Sequence, residues 1–389
     1  MKIWNSYSNE FTTLDDKPVY DLYVCGVTPY DTAHVGHGAT FTYFDTMIYH
    51  IEHNLNKKVN YIQNITDIDD SIIAKAKSIN EDIFDLARSQ TKRLNDSMEQ
   101  LGLRKPNKMP KVSEKIQEII ETVTILKNNG FLYDLNGDWY FQYSKTKPKM
   151  PELPISEIVM ERIFNDRGGN TKIKGKEHPL DFIVWQKSLE GEPSFESPLG
   201  IGRPGWHIEC TSMLLDEFGG EIDIHGGGED LKFPHHTSEM AQNFGLGNDS
   251  VAKIWMHTGT VDFFGEKMSK SLGNMIYIDD LLDRYPSAAI KIAILNNHYF
   301  DSFSWHEKLI HGSFTFYKKI QAAIDIQKVE RISSSTQARD VILNYLNCDL
   351  DTPAALRIIS NEVEKVLNKD EISMTADIKE LCGLLNLVV

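Results

Sequence analysis

Residues 20–49 read YDLYVCGVTPYDTAHVGHGATFTYFDTMIY. The first nine are a β-rich apolar run that ends in Gly26 and Thr28. From Asp31 to Tyr49 the apolar positions fall on one face of a helix. A second strand, Lys58–Gln63 (KVNYIQ), follows at the distance of a βαβ unit. Next comes the stretch Asn64–Asp70 and then SIIAKAK, where Thr66 or Asp67 is placed to cap another helix. Two strand-then-helix junctions this close together predict a doubly wound, Rossmann-like α/β sheet.

Outward from this core, Lys111–Gly130 has helical periodicity. Phe131 to about Lys187 mixes short strands, prolines and loop signals, as an inserted lid would. Residues 205–265 return to strand–helix alternation, and beyond Asn274 the pattern is helical. The expected organisation is a catalytic domain over 1–275, with an insertion at about 115–187, and a C-terminal helical bundle over 276–389. The chain after Ser271 has room for that bundle around Asp349–Ala355, but no anticodon-binding domain is expected.

Composition narrows the class. The 389 residues carry 41 Lys and Arg against 56 Asp and Glu, a net charge of −15, so no overall basic field points to nucleic acid. With 41% hydrophobic and 25% charged residues, the balance is that of a soluble globular protein. No apolar run is long enough for a transmembrane helix, and the N-terminus lacks a basic-then-apolar leader. The four cysteines, Cys25, Cys210, Cys348 and Cys382, lie far apart without a CxxC pair, which argues against a disulfide framework. A cytoplasmic, reduced protein with no membrane contact is expected, as a monomer or weak homo-oligomer.

Three constellations carry chemistry. His34-Val-Gly-His37 puts two imidazoles three residues apart at the start of a helix, facing the end of the sheet where open α/β folds bind ligands. Gly36 lets a flat base approach the backbone, and the helix N-terminus favours phosphate. The bland alternative is a pair of surface histidines. Lys267-Met-Ser-Lys-Ser271, bounded by Gly265 and Gly273, offers two ammonium groups and two hydroxyls to nucleotide phosphates, or is a solvated basic turn. Cys25, Cys210, His235 and Glu239 would make a tetrahedral zinc set, with the last two on one helical face. Alternatively they are two buried structural cysteines and a core histidine.

Taken together and in this order, the first two motifs resemble the signatures of the class I aminoacyl-tRNA synthetase superfamily. Cys25-Gly26, Asn64-Ile-Thr66, Gly205-Trp-His-Ile-Glu-Cys210, Asp223-Ile-His-Gly-Gly-Gly228, Asp230 and Phe233-Pro-His-His236 narrow the resemblance to the cysteinyl-tRNA synthetase branch. Within it, Cys25-Gly-Val-Thr-Pro-Tyr-Asp31, Arg167-Gly-Gly169 and Gly202-Arg-Pro-Gly205 resemble the cysteine:glucosaminyl-inositol ligases of mycothiol biosynthesis.

The resemblance implies ATP-dependent, AMP-forming activation of L-cysteine, with Mg2+ accompanying ATP, and transfer to the amine of a small molecule. That acceptor is glucosaminyl-inositol or a related amine; tRNA is the less favoured one, and the alternative reading is a truncated cysteinyl-tRNA synthetase. By the same resemblance, zinc is held by Cys25, Cys210, His235 and Glu239 and binds the substrate thiolate, which separates cysteine from serine. His34, His37, Lys267 and Lys270 become the catalytic groups at the phosphates. ATP or adenylate contacts are implied for Cys25, Gly26, Val27, Thr28, Gly36, Thr40, Gly227, Gly228, Glu229, Asp230, Val261 and Ser269. Asn64, Ile65, Thr66, Trp206, His225 and Asp230 are implied to hold the cysteine. His207 and His225 are candidates for the general base of the transfer step.

Overall fold

The computed structural model describes residues 1–266, 268, 272–329, 336–369 and 376–389. Its centre is a four-stranded, wholly parallel sheet of β1 (Val19–Val27), β2 (Lys58–Ile65), β3 (Ile222–Gly228) and β4 (Ala252–Thr258), in the spatial order β4-β3-β1-β2. The chain winds outward from β1 to β2, then returns to the other side of β1 as β3. The topological switch therefore lies between β1 and β3, where Tyr23 pairs with His225 and Val24 with Gly226. Ligands of open α/β sheets bind outside the carboxyl ends of the strands at such a switch. Cys25–Thr28 and His225–Gly228 occupy that place.

The helix after β1, α1 (Val35–Tyr49), begins four residues later than periodicity alone predicts. Residues 33–35 are held instead by residues 276–278: Val35 N donates to Ile276 O at 2.8 Å, and Ile278 N to Ala33 O at 3.0 Å. His34 becomes the N-cap, its Nδ1 accepting from Gly36 N at 3.1 Å. α1 lies so close to the sheet that a Cβ on Gly226 would come within 2.2 Å of the Phe44 ring.

Between β2 and β3 the chain builds a second, antiparallel sheet from Leu132–Leu135, Asp138–Phe141, Phe182–Gln186 and Arg203–Pro204. The insertion thus runs past residue 187 to the start of α2 (Trp206–Phe218). Buried Arg203 ties it to the body through Asp70 at 2.5 Å and pairs within the insertion with Glu192 at 3.1 Å. Past β3 come α3 (Thr237–Gly245) and β4. The C-terminal region is helical: α4 (Ser287–Leu295), α5 (Glu307–Val329), α6 (Thr336–Asn347), α7 (Thr352–Asn368) and α8 (Ile378–Gly383). Ile290, Ile294, Ile320, Ile342 and Ile359 of these helices share one apolar core with Leu22 of the sheet and Phe44 and Met47 of α1. Among the described residues, no helix is long and apolar enough to cross a membrane.

Candidate active site

At the switch point the strand ends and the following helices enclose a cavity of about 580 Å3. Cys25, Gly26, Val27, Thr28, His34, His37, Asn64, Thr66, Trp206, Cys210, Asp230 and His235 line it. Backbone geometry fixes the β1 end: Gly26 N donates to Asn64 Oδ1 at 2.8 Å, and a Cβ at Gly26 would sit 1.7 Å from Asn64 O. Only glycine allows the two strands to close there.

On one side of the cavity the thiols and imidazoles converge. Cys25 Sγ lies 3.8 Å from Cys210 Sγ, 3.7 Å from Glu239 Oε1 and 3.2 Å from His236 Nε2. Glu239 is further held by His235 Nε2 at 3.1 Å and His225 Nε2 at 2.8 Å. Two overlapping quartets have their donor atoms within 4.8 Å of one another: Cys25, Cys210, His235 and Glu239, and Cys25, His225, His236 and Glu239. They are not equivalent. Three members of the first line the cavity, whereas only Cys25 of the second does. A ligand in the cavity therefore has access to the first quartet, and the second braces it from behind. Two sulfurs, one nitrogen and one oxygen are a donor set that fits four-coordinate zinc.

Electrostatics agree with a cation there. Burial and then Cys210 push the Cys25 thiol up, while the hydrogen bond from Cys25 holds the Cys210 thiol down. The pair thus gives up its first proton at Cys210. Burial lowers His207, His235, His236 and His257, so these rings stay neutral around the carboxylate and thiols. Ring orientations are locked. Trp206 stacks on His235 at 4.5 Å and 20°, and His225 on Trp255 at 4.4 Å and 16°. A chain of contacts runs outward from Cys25: His236 Nδ1 is 2.7 Å from His257 Nε2, and His257 Nδ1 is 2.5 Å from Ser6 Oγ.

On the other side His34 and His37 stack at 3.8 Å and 23°. Because His34 Nδ1 accepts from Gly36 N, its neutral ring carries the proton on Nε2. Burial, then His34, holds His37 well below the ordinary histidine range, and its buried Nδ1 has no hydrogen-bond partner among the described residues. The pair can donate hydrogen bonds without adding charge. Asp230 meets Arg167 Nη1 of the insertion at 2.9 Å. Asn64 Nδ2 donates to Thr66 Oγ1 at 3.2 Å.

The remaining candidates stand further off. Glu239 and His225 are buried behind the cavity wall, and Gly36, Ile65, Gly227, Gly228 and Glu229 do not line it. Thr40 Oγ1 contacts Thr258 Oγ1 at 2.8 Å, and Val261 lies in the strand Val261–Phe263, paired with Phe303–Trp305. Lys267, Ser269 and Lys270 lie outside the described residues; their neighbour Met268 lines the cavity. Sequence reasoning gave no role to His236, His257 or Ser6, nor to Glu209 within the Trp206–Cys210 motif. Glu209 is fully buried, and burial raises its carboxyl well above the usual range. The doublet at 235–236 was the one available signal.

A parallel sheet whose switch point carries paired imidazoles and a metal-capable quartet is the architecture of a class I synthetase. A Mycobacterium tuberculosis methionyl-tRNA synthetase in complex with methionyl-adenylate superposes with a TM-score of 0.68, at 13% identity, over 95% of this chain and 90% of that one. Residues 10–315 match the tRNA synthetases class I (C) catalytic domain, and the chain belongs to this family. The chloroplastic/mitochondrial cysteine–tRNA ligase of Arabidopsis thaliana is 40% identical over 292 residues, 75% of this chain; the match spans about half of that enzyme, 51%. The L-cysteine:1D-myo-inositol 2-amino-2-deoxy-alpha-D-glucopyranoside ligase of Streptosporangium roseum is 33% identical over 94% of this chain and 89% of its own.

Proposed function

We propose that the chain is an ATP-dependent, AMP-forming ligase that converts L-cysteine to cysteinyl-adenylate and passes it to the amine of a small molecule, glucosaminyl-inositol or a relative. The observation that carries this reading is the Cys25, Cys210, His235 and Glu239 quartet opening into the same cavity as His34 and His37. Zinc at that quartet would supply a soft Lewis acid for the substrate sulfur, a discrimination against serine that pocket shape alone gives poorly.

The chain's own residues do the rest. Thr66 and Trp206 flank the amino acid, and Asp230 takes its ammonium group in competition with Arg167. With the carboxylate so placed, it attacks the α-phosphorus and pyrophosphate leaves. His34 and His37 donate to the phosphate oxygens, and Lys267 and Lys270 neutralise the leaving group. Positioning and electrostatics suffice for transfer at phosphorus. In the second step an acceptor nitrogen attacks the mixed anhydride and AMP departs.

A second reading, transfer to tRNA, is favoured by the identity to the Arabidopsis cysteine–tRNA ligase. One experiment separates the two. Labelled cysteine, ATP and Mg2+ are incubated with total tRNA in one tube and glucosaminyl-inositol in another, with AMP release and label transfer followed in both. Label on the amino sugar is the expected result. Rapid label on tRNA with none on the amino sugar would overturn the reading.

A further inference from the structure

Beside the first cavity lies a second, of about 610 Å3, walled mainly by the insertion. The two share Thr28, Tyr30, Arg167 and Trp206. These shared walls are informative. Trp206 stacks on His235 of the metal-capable quartet, and Thr28 lies three residues beyond Cys25 at the end of β1. An adenylate whose sulfur is held at the quartet and whose phosphate is held at His34 and His37 has its acyl carbon along this partition. A nucleophile has to reach that carbon from adjoining space, and the second cavity supplies it.

The charge of the walls selects among acceptors. Four carboxylates, Asp69, Asp70, Asp166 and Asp181, line the second cavity. Asp70 is paired with Arg203, Asp69 accepts from Ser71 N, and Asp181 accepts from Tyr133, Tyr143 and His178, so exposed Asp166 is the carboxylate turned to a ligand. Its two cations are engaged within the protein. Arg167 pairs with Asp230, and Lys176 Nζ donates to the carbonyls of Asn170 and Pro179 at 2.9 and 2.8 Å. Lys176 also lies 4.9 Å above the Phe164 ring, and burial holds it down at about 8. A phosphodiester end would meet carboxylates where it needs lysines and arginines. A polyol bearing an ammonium group meets acceptors for its hydroxyls and charge, in a volume typical of small-molecule sites.

We propose that this second cavity is the acceptor site, and that it takes a polyhydroxylated primary amine of the amino-sugar class rather than the 3′ end of an RNA. The proposal rests on the cysteine-transfer reading above. The ammonium group first loses a proton to water in the open cavity. Its nitrogen lone pair then forms a C–N bond to the acyl carbon. The bond from that carbon to the bridging oxygen breaks, AMP leaves with the electron pair, and a second proton goes to water, leaving the amide.

The test uses the full chain and three variants. Asp166 is exposed at the end of the helix Glu157–Asp166, so Asp166→Arg reverses a wall charge without disturbing a core. Ile173→Trp narrows the same space, and Asp166→Glu is the conservative control. Cysteine-dependent pyrophosphate exchange reports activation. Transfer is followed to D-glucosamine, to 1D-myo-inositol 2-amino-2-deoxy-alpha-D-glucopyranoside and to total tRNA. Asp166→Arg and Ile173→Trp are expected to raise the KM for the amino sugar by about tenfold relative to any change in exchange, the loss of roughly one charged hydrogen bond. Asp166→Glu should restore it. Unchanged KM in both variants would show that the acceptor binds elsewhere. Exchange with transfer to tRNA alone, or to neither amino sugar, would overturn the assigned ligand class. A wild-type chain without exchange would instead refute the cysteine-activation reading on which the cavity assignment rests.

Discussion

Two polar clusters, a rear one at Asp45 of α1 and a front one at the cavity, are built on different terms. In the rear cluster Lys291 Nζ donates to Asp45 Oδ2 at 3.1 Å and to Asn386 O at 2.8 Å. Asn386 Nδ2 and Arg104 N fill the remaining positions on Asp45, at 2.8 and 2.7 Å. In the front cluster, around Cys25 and Glu239, His225 Nδ1 has no hydrogen-bond partner among the described residues, and neither does His37 Nδ1 across the cavity. Both centre on buried groups, Asp45 and Lys291 in one and Cys25 and Glu239 in the other, but their hydrogen bonding differs. A fully matched network holds parts of the fold together, while unmatched donors and lone pairs around a cavity are a standing capacity for a ligand.

The sharpest way to break this contrast is at the rear. Lys291→Ala leaves Asp45 buried without its cation and should cost about 3–5 kcal/mol of unfolding free energy. Urea denaturation measures it. The double variant Lys291→Met with Asp45→Leu should recover most of the loss, since well-packed apolar groups often replace a buried pair at little cost. A single-variant loss under about 1 kcal/mol would mean that the rear cluster is not a clamp between the sheet and the C-terminal helices, because a loss that size is what an exposed pair gives.

At the front the expected loss is in function. Cys210→Ser removes a soft donor that lines the cavity and should reduce cysteine-dependent pyrophosphate exchange by more than about a hundredfold, beyond what losing an outer partner of a ligand costs. Bound zinc, measured by elemental analysis, should fall with it. Near-wild-type exchange in this variant would leave the quartet as packing only.

How much of this was legible beforehand follows from what each feature depends on. The β1–α1–β2 unit is local, and hydrophobic periodicity exposes it. The start of α1 is not local: residues 33–35 are drawn into a bridge with residues 276–278, a partner no window around His34 contains. For the four metal candidates, spacing left a core-histidine alternative open, and only the motif resemblance joined residues so distant in sequence. The chain Cys25–His236–His257–Ser6 was invisible for the same reason. Its members come from β1, the turn before α3, β4 and the N-terminal hairpin of Lys2–Asn5 with Glu10–Thr13, and have no common spacing. The pairing of Arg167 with Asp230 likewise depends on how the insertion folds back.

That chain can sharpen the contrast, because it carries order from the unmatched cluster outward to a satisfied end at Ser6, which also donates to Trp255 O at 3.0 Å. If it orients Cys25 as a ligand, His257→Phe should weaken zinc binding by about 10–100-fold while preserving ring packing. Competition with a chromophoric chelator gives the affinity. An unchanged affinity would reduce the chain to filler between β4 and the hairpin.

The smallest effect is on pH. Burial holds His37 and His257 well below the ordinary histidine value in the folded chain. Below about 6.5 the unfolded chain binds protons that these folded rings refuse, so stability is present above that value and is lost as pH falls. Each ring contributes about 1.4 kcal/mol per pH unit in that window. Lys291 does not take part: burial lowers it from an alkaline value, so its linkage lies at high pH. Acid loss should therefore come mainly from the front cluster, with a share from His50 at the end of α1, which burial also lowers. Urea midpoints of metal-free protein at several pH values between 5 and 7.5 should fall with acidification, and His257→Phe should flatten the slope by one ring's share. An unaltered slope in that variant would mean that His257 is charged in the folded chain, and that the front cluster tolerates a cation where its neutral-ring order forbids one.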